Sequence, residues 1–242
     1  MTAWFAAGFS RNALAALGTV VYIKCVIALC EQLVLRKILR PAFTRKIIHV
    51  AAACWAFWWP LFDAGADDGW SWRLNVLVPG SYALTMFAKG AILRDRSDPD
   101  VRSMCRSGDP TELLYGPIQF AIVATTVGLW LFMREESCLI MGAMGFGDGI
   151  APVTAALAGR QRIPYKSFLG GGEKSVAGSM GMFGGTLVGY FVFAWVLGFP
   201  FLAFTSVLLA SVIASLVEGL TPMDLDNVTV PIAMYYLYPL LG

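Results

Sequence analysis

Histidine occurs once in the 242 residues, which argues against a zinc centre built on several imidazoles. The five cysteines, Cys25, Cys30, Cys54, Cys105 and Cys138, show no C-x-x-C spacing, and four of them lie in apolar stretches. They read as reduced thiols packed like small hydrophobes, not as a disulfide framework. Charged residues make up only 14% of the chain and the net charge is +2. The basic residues fall in short blocks between apolar runs, a distribution that gives no case for a nucleic-acid partner. No Walker A loop is present, because Glu173 stands where G-x-x-x-x-G-K-[ST] requires glycine. No internal repeat points to a transporter of inverted halves. Residues 1–16 carry neither an A-x-A-like cleavage site nor an Arg/Ser-rich transit pattern. Either the first membrane segment carries the cellular address, or a presequence is missing from this chain.

Apolar residues are what the sequence has in abundance: 57% hydrophobic, with a mean hydropathy of +0.66. A helix needs about 20 residues to cross roughly 30 Å of hydrocarbon. Suitable runs cover Ala13–Leu35, Ile47–Phe62, Leu74–Leu93, Leu114–Met133, Ser137–Leu157, Val176–Leu197 and Phe199–Val217. An eighth, Val228–Leu241, is short and carries Pro231 and Pro239. Lipid offers no water to backbone amides, and the runs lack the alternation of a barrel, so helices are expected. The fold class that follows is an all-α polytopic transmembrane helical bundle with about seven or eight spans, forming a single integral membrane domain over 1–242.

Thirteen of the 18 Lys and Arg residues sit in the first, third and fifth connections between runs. The positive-inside rule places those connections on the cytosolic, stromal or matrix side. The seventh connection, expected on the same face, is acidic, with Glu218, Asp224 and Asp226. Basic groups hold phosphates and carboxylates hold Mg²⁺, although basic loops also serve only to set topology.

Four constellations carry chemistry. Gly145-Phe146-Gly147-Asp148-Gly149 puts three glycines around an acid inside a span. That pattern predicts a backbone break, with Asp148 capping a following helix and Pro152 in its first turn. A carboxylate there either binds a metal or takes a substrate proton; the alternative is a kink with a hydrogen-bonded Asp. The fifth connection, Gly159 to Ser175, joins Arg160, Arg162, Lys166 and Lys174 to a glycine-rich stretch just before a helix. Such a loop lets backbone amides approach a phosphate, or it is a plain membrane connection. The seventh connection gathers three acids and Asn227 with no cation of its own. Uncompensated carboxylates favour a divalent ion, unless the loop is simply solvated. Arg45 and His49 share a helical face, where His49 orients a phosphate, shuttles a proton or is an ordinary interface residue.

In order along the chain, these segments resemble the polyprenol kinase family: phytol kinases, dolichol kinases and CTP-dependent diacylglycerol kinases. The resemblance rests on Arg45-Lys46-x-x-His49, on Glu112 through Pro117, and on Gly147-Asp148-Gly149. It continues through Ile163-Pro164-Tyr165, Lys174-Ser175-x-x-Gly178-Ser179, and Glu218 with Asp226, Asn227, Thr229 and Pro231. Within the family the chain is most similar to a phytol kinase. One departure is Leu225-Asp226, where family members often carry two adjacent acids, leaving open whether Asp224 or Asp226 is a metal ligand.

The resemblance implies transfer of the γ-phosphoryl group of a nucleoside triphosphate, commonly CTP, to a membrane-dissolved isoprenoid alcohol. The implied catalytic residues are Asp148, Lys174 and His49. Nucleotide contacts are implied for Arg45, Lys46, Arg160, Lys166, Gly171, Gly172, Lys174, Ser175 and Ser179, and Mg²⁺ for Asp148, Glu218, Asp226 and Asn227. The lipid tail would lie between spans, beside Trp55, Phe57, Trp58 and Trp59, unless those rings form an interfacial belt. The membrane is that of the chloroplast in a photosynthetic eukaryote, otherwise the endoplasmic reticulum or plasma membrane. Nothing specifies an oligomeric state. The rival readings are a dolichol or diacylglycerol kinase, a CDP-alcohol-type phosphotransferase, whose D-G-x-x-A-R pattern is missing, and a transporter with Asp148 on an ion path.

Overall fold

The computed structural model describes residues 2–105, 107–167, 172–222 and 225–242, with only the backbone for residues 2–7. The expectations placed on Arg106, Gly171 and Asp224 therefore lie outside the described residues. Two compact units divide the chain, Met1–Met133 and Arg134–Gly242.

The all-α, multi-span expectation is borne out. Among the described residues, five helices are long and apolar enough to cross a membrane: Gly8–Leu35, Ser71–Leu93, Pro110–Trp130, Glu136–Gln161 and Val176–Leu197, and Phe204–Leu220 is a shorter apolar one. Each overlaps a run read from the sequence. The second run takes a mixed course, as helix α2 (Pro41–Ala53) passes into a 3₁₀ stretch at Cys54–Leu61 that contains Pro60. The eighth run contributes α10 (Asp226–Leu237), 12 residues long with Pro231 inside it.

In the first unit, α1 (Thr2–Leu35), α2, α3 (Leu77–Phe87), α4 (Pro99–Met104) and α5 (Gly116–Trp130) enclose two apolar clusters. The larger joins Ile23, Ile27 and Ile48 to Met86, Val101 and Leu113. Trp55 and Trp59 are fully buried and packed edge to face, 5.2 Å apart, and Trp55 donates its indole N–H to the Asn75 carbonyl at 2.6 Å. These two rings are packing residues of the first unit and do not form an exposed interfacial belt.

In the second unit, α6 (Glu136–Met141) runs through a π-helical stretch, Gly142–Gly147, into α7 (Asp148–Ala158). The expected break at Gly145–Gly149 is thus a widened turn in a continuous helix, and Asp148 is the first residue of α7, not its cap. The physical reason is packing on α8 (Val176–Leu197). Gly181, Gly185 and Gly189 recur every fourth residue and form one face. A Cβ at Gly185 would sit 2.6 Å from the Phe146 carbonyl, and one at Gly142 would sit 2.6 Å from the Tyr190 nitrogen. Backbone lies against backbone here, and only glycine permits it. The close approach offsets the poor helix propensity of the glycines. α9 (Phe204–Leu220) packs on α8, and α10 packs on α9.

Candidate functional site

The fifth connection is not an open glycine loop throughout. Strands β1 (Pro164–Lys166) and β2 (Glu173–Ser175) pair antiparallel, with Tyr165 opposite Lys174. Directly opposed residues project to the same side of a hairpin, and both of these reach the end of α9. Lys174 Nζ donates to Glu218 Oε1 at 2.6 Å and to the Glu218 carbonyl at 2.5 Å, and lies 3.4 Å from Asp226 Oδ2 at the start of α10. The Tyr165 hydroxyl pairs with Ser179 Oγ at 2.7 Å. Ser167 Oγ contacts the carbonyls of Leu220 and Thr221, each at 3.0 Å, and fastens the hairpin to the same helix end.

The charged centre is nearly closed to solvent, the side chains of Lys174, Glu218 and Asp226 being 10%, 11% and 13% exposed. Burial by itself pulls the Lys174 pKa down, but the charges of Glu218 and Asp226 and their hydrogen bonds outweigh it and hold the ammonium above its ordinary 10.5. Lys174 is therefore a permanent cation at neutral pH. The acidic connection was expected to lack a cation; the structure supplies one from 44 residues upstream of Glu218.

Beside them, Asn227 Oδ1 is buried without a hydrogen-bond partner among the described residues, and the Asn227 backbone N–H donates to Asp226 Oδ1 at 3.0 Å. A buried amide oxygen without a partner, on the residue that follows Asp226, is a hard-oxygen donor of the kind that Mg²⁺ takes. Among the described residues no group of three or more His, Cys, Asp and Glu gathers into a metal cluster. Lys174 occupies the carboxylates that an ion would use.

Other residues singled out from the sequence divide into four sets. Ser175 and Ser179 flank the first turn of α8, but each is engaged locally. Ser175 Oγ accepts the Gly178 N–H at 3.1 Å and caps the helix, while Ser179 meets Tyr165. Gly172 accepts the Ser167 N–H at 3.2 Å, and Arg160 and Lys166 are exposed. Asp148 is half-buried. The glycine contacts of Gly178 and Gly181 with Ala151, and of Gly185 with Phe146 and Gly147, make α7 antiparallel to α8. Asp148 thus lies roughly 10 Å, about two turns, along α8 from its N-terminus. Arg45, Lys46 and His49 belong to α2 of the first unit, where Lys46 is buried and the His49 ring lies 4.5 Å from that of Phe120.

Tyr165, Ser215 and Gly219 were not singled out as site residues. Ser215 Oγ donates to the Ser179 carbonyl at 2.8 Å, and a Cβ at Gly219 would stand 2.7 Å from the Tyr165 hydroxyl. The signal available was a tyrosine flanked by proline and lysine in the basic connection, which becomes informative once the hairpin register is known.

Comparison with known proteins adds an independent line. The chain is 32% identical over 218 residues to a probable chloroplastic phytol kinase 2 of Oryza sativa subsp. japonica, covering 85% of this chain and 68% of that protein. It is 31% identical over 215 residues to a probable chloroplastic phytol kinase 1 of Glycine max, covering 84% and 68%. A chloroplastic farnesol kinase of Arabidopsis thaliana is 28% identical over 141 residues, 57% of this chain and 43% of that protein. No protein-family model matches, and no solved structure matches.

Proposed function

Because the chain belongs to the phytol kinase family, a group of membrane phosphotransferases with alcohol acceptors, we propose that it transfers the γ-phosphoryl group of CTP to phytol or a closely related isoprenoid alcohol. The product is the alkyl monophosphate. The observation that carries this reading is the enclosed cation Lys174, held between Glu218 and Asp226 beside a glycine-bearing hairpin. Phosphoryl transfer asks a protein mainly for positioning and charge neutralisation, and this cluster offers both signs of charge within hydrogen-bond reach.

Lys174 exchanges its carboxylate partners for oxygens of the incoming triphosphate; its ammonium is a compact charge with three donors and suits that handover. The other contacts to the nucleotide come from the backbone of Gly172 and from Arg160, Lys166 and Ser175. Glu218, Asp226 and the Asn227 amide oxygen would hold Mg²⁺, which would supply charge neutralisation to the triphosphate. Asp148 would take the proton as the alcohol O–H bond breaks, or would hold the metal as a further carboxylate. The new O–P bond forms as the bond from the γ-phosphorus to the bridging oxygen breaks, and the nucleoside diphosphate departs. The whole chain acts as one membrane domain, with its basic connections on the stromal side of a chloroplast membrane.

The test offers purified protein each of CTP, UTP, ATP and GTP against phytol, geranylgeraniol, dolichol and diacylglycerol. Alkyl monophosphate should form fastest from CTP with phytol or geranylgeraniol. Turnover confined to diacylglycerol or dolichol would overturn the acceptor assignment, and equal use of all four nucleotides would overturn the donor.

A further inference from the structure

Against the hairpin, between α8 and α9, lies a pocket of about 280 Å³. Val176, Leu216 and Leu220 form apolar walls, and Tyr165, Ser179 and Ser215 complete the lining. We propose that this pocket receives the hydroxyl-bearing end of the isoprenoid alcohol, with the Tyr165–Ser179 pair hydrogen-bonding its oxygen. The inference rests on the isoprenoid-alcohol kinase reading and names where the acceptor binds.

The chemistry of the lining selects this occupant. A triphosphate is a polyanion and gains nothing from Val176, Leu216 and Leu220, whereas an alcohol with a branched hydrocarbon tail needs both halves of what is present. Apolar walls take the isoprene units. The hydroxyl pair is able to donate to the acceptor oxygen and to accept from its O–H.

Position supports the same occupant. Tyr165 stands directly across the hairpin from Lys174, and Gly219 follows Glu218 in α9. The pocket is therefore next to the charged cluster along both the hairpin and α9. Lys166, exposed and part of the lining, places a further positive charge where the product gains its phosphate.

Size sets the expected specificity. At about 30 Å³ for a water-sized group, the pocket takes roughly nine heavy-atom groups, the head of an isoprenoid and not its full length. Val176, Leu216 and Leu220 are 42%, 58% and 49% exposed, so the pocket is open along its apolar walls and the remainder of the tail leaves it on that side. Recognition of the first isoprene units, with tolerance of tail length, follows from that division.

Gly219 fixes the depth of the pocket. A Cβ there would stand 2.7 Å from the Tyr165 hydroxyl and force it away from Ser179. Gly219→Ala and Tyr165→Phe should each raise KM for the alcohol about tenfold, the effect of losing one hydrogen bond of about 1.4 kcal/mol, while KM for CTP stays within about twofold. Wild-type KM for farnesol, geranylgeraniol and phytol should agree within about threefold. Unchanged alcohol KM in both variants, or a rise in CTP KM alone, would overturn the pocket assignment while leaving the kinase reading intact. Wild-type protein that phosphorylates no alcohol with any nucleotide would instead overturn the kinase reading. Should either variant fail to fold, a farnesol analogue with a diazirine in its first isoprene unit decides on wild-type protein. Label competed by farnesol should map to residues 162–180 or 211–221; label confined to residues 2–133 refutes the proposal.

Discussion

Replacing Lys174 by Met isolates the electrostatic core of the site, because Met fills most of the lysine volume and removes only the charge and its donors. In the native protein that ammonium contacts Glu218 Oε1 at 2.6 Å and the Glu218 carbonyl at 2.5 Å, with Asp226 Oδ2 at 3.4 Å. Breaking a buried pair by deleting one partner costs about 3–5 kcal/mol, since the other charge is left buried and alone. The three side chains keep 10–13% exposure, so the lower end, about 3 kcal/mol, is appropriate. For a chain of this length that corresponds to a fall in Tm of roughly 6–12 °C. The pH dependence follows from the sign of the shift. Lys174 is held above its ordinary 10.5, so its contribution is complete below that value and is lost as pH rises through the raised one. The gap in Tm between wild type and Lys174→Met should therefore be flat from about pH 6 to about pH 9 and narrow only in stronger alkali. Adding Glu218→Gln to Lys174→Met should recover about 1 kcal/mol or more, by removing the stranded carboxylate. Millimolar Mg²⁺ should raise the Tm of Lys174→Met more than that of wild type, because the freed oxygens of Glu218, Asp226 and Asn227 then have no ammonium to compete. Differential scanning fluorimetry in detergent measures all four quantities. A Tm loss below about 2 °C with wild-type turnover, or a gap that closes between about pH 7 and pH 9, would refute the reasoning.

Asp148→Asn should abolish transfer while the protein still inserts and melts within a few degrees of wild type; normal turnover would remove Asp148 from the mechanism. Gly185→Val should lower stability by about 1–3 kcal/mol, because its side chain meets the Phe146 backbone, and an unchanged Tm would contradict the close helix packing. In sealed vesicles, single cysteines replacing Arg96 and Arg162 should react with an impermeant maleimide from one side and a cysteine replacing Arg134 from the other. Labelling of Arg96 and Arg162 positions from opposite sides would refute the proposed topology.

Much of the fold was legible because lipid leaves the backbone so few options. The run Val176–Leu197 coincides with α8 residue for residue, since length and hydropathy alone dictate a spanning helix there. The second run was harder to read. Trp55 and Trp59 look from composition like interfacial rings, yet they are buried by tertiary packing with each other, Asn75 and Phe132. The glycines at 145–149 were read as a break because helix propensity was weighed without a partner. The four-residue spacing of Gly181, Gly185 and Gly189, already visible in the sequence, held the compensating face.

At the site, the residue types were legible and their pairing was not. The acids of the seventh connection and the lysine of the fifth were each noticed, but 44 residues separate Glu218 from Lys174, and no local pattern encodes that contact. Strands of three residues are too short to show a period of two, so the hairpin that delivers Lys174 and Tyr165 to α9 was invisible until the chain was seen folded.

The central claim is that this membrane protein moves a terminal phosphoryl group onto an isoprenoid hydroxyl. Purified protein supplied with phytol and CTP carrying label at either the γ- or the α-phosphorus tests it most directly. The account predicts phytyl monophosphate bearing the γ-label, with the α-label retained in CDP. Recovery of the α-label in the lipid product, or of the γ-label only as inorganic phosphate, would contradict it.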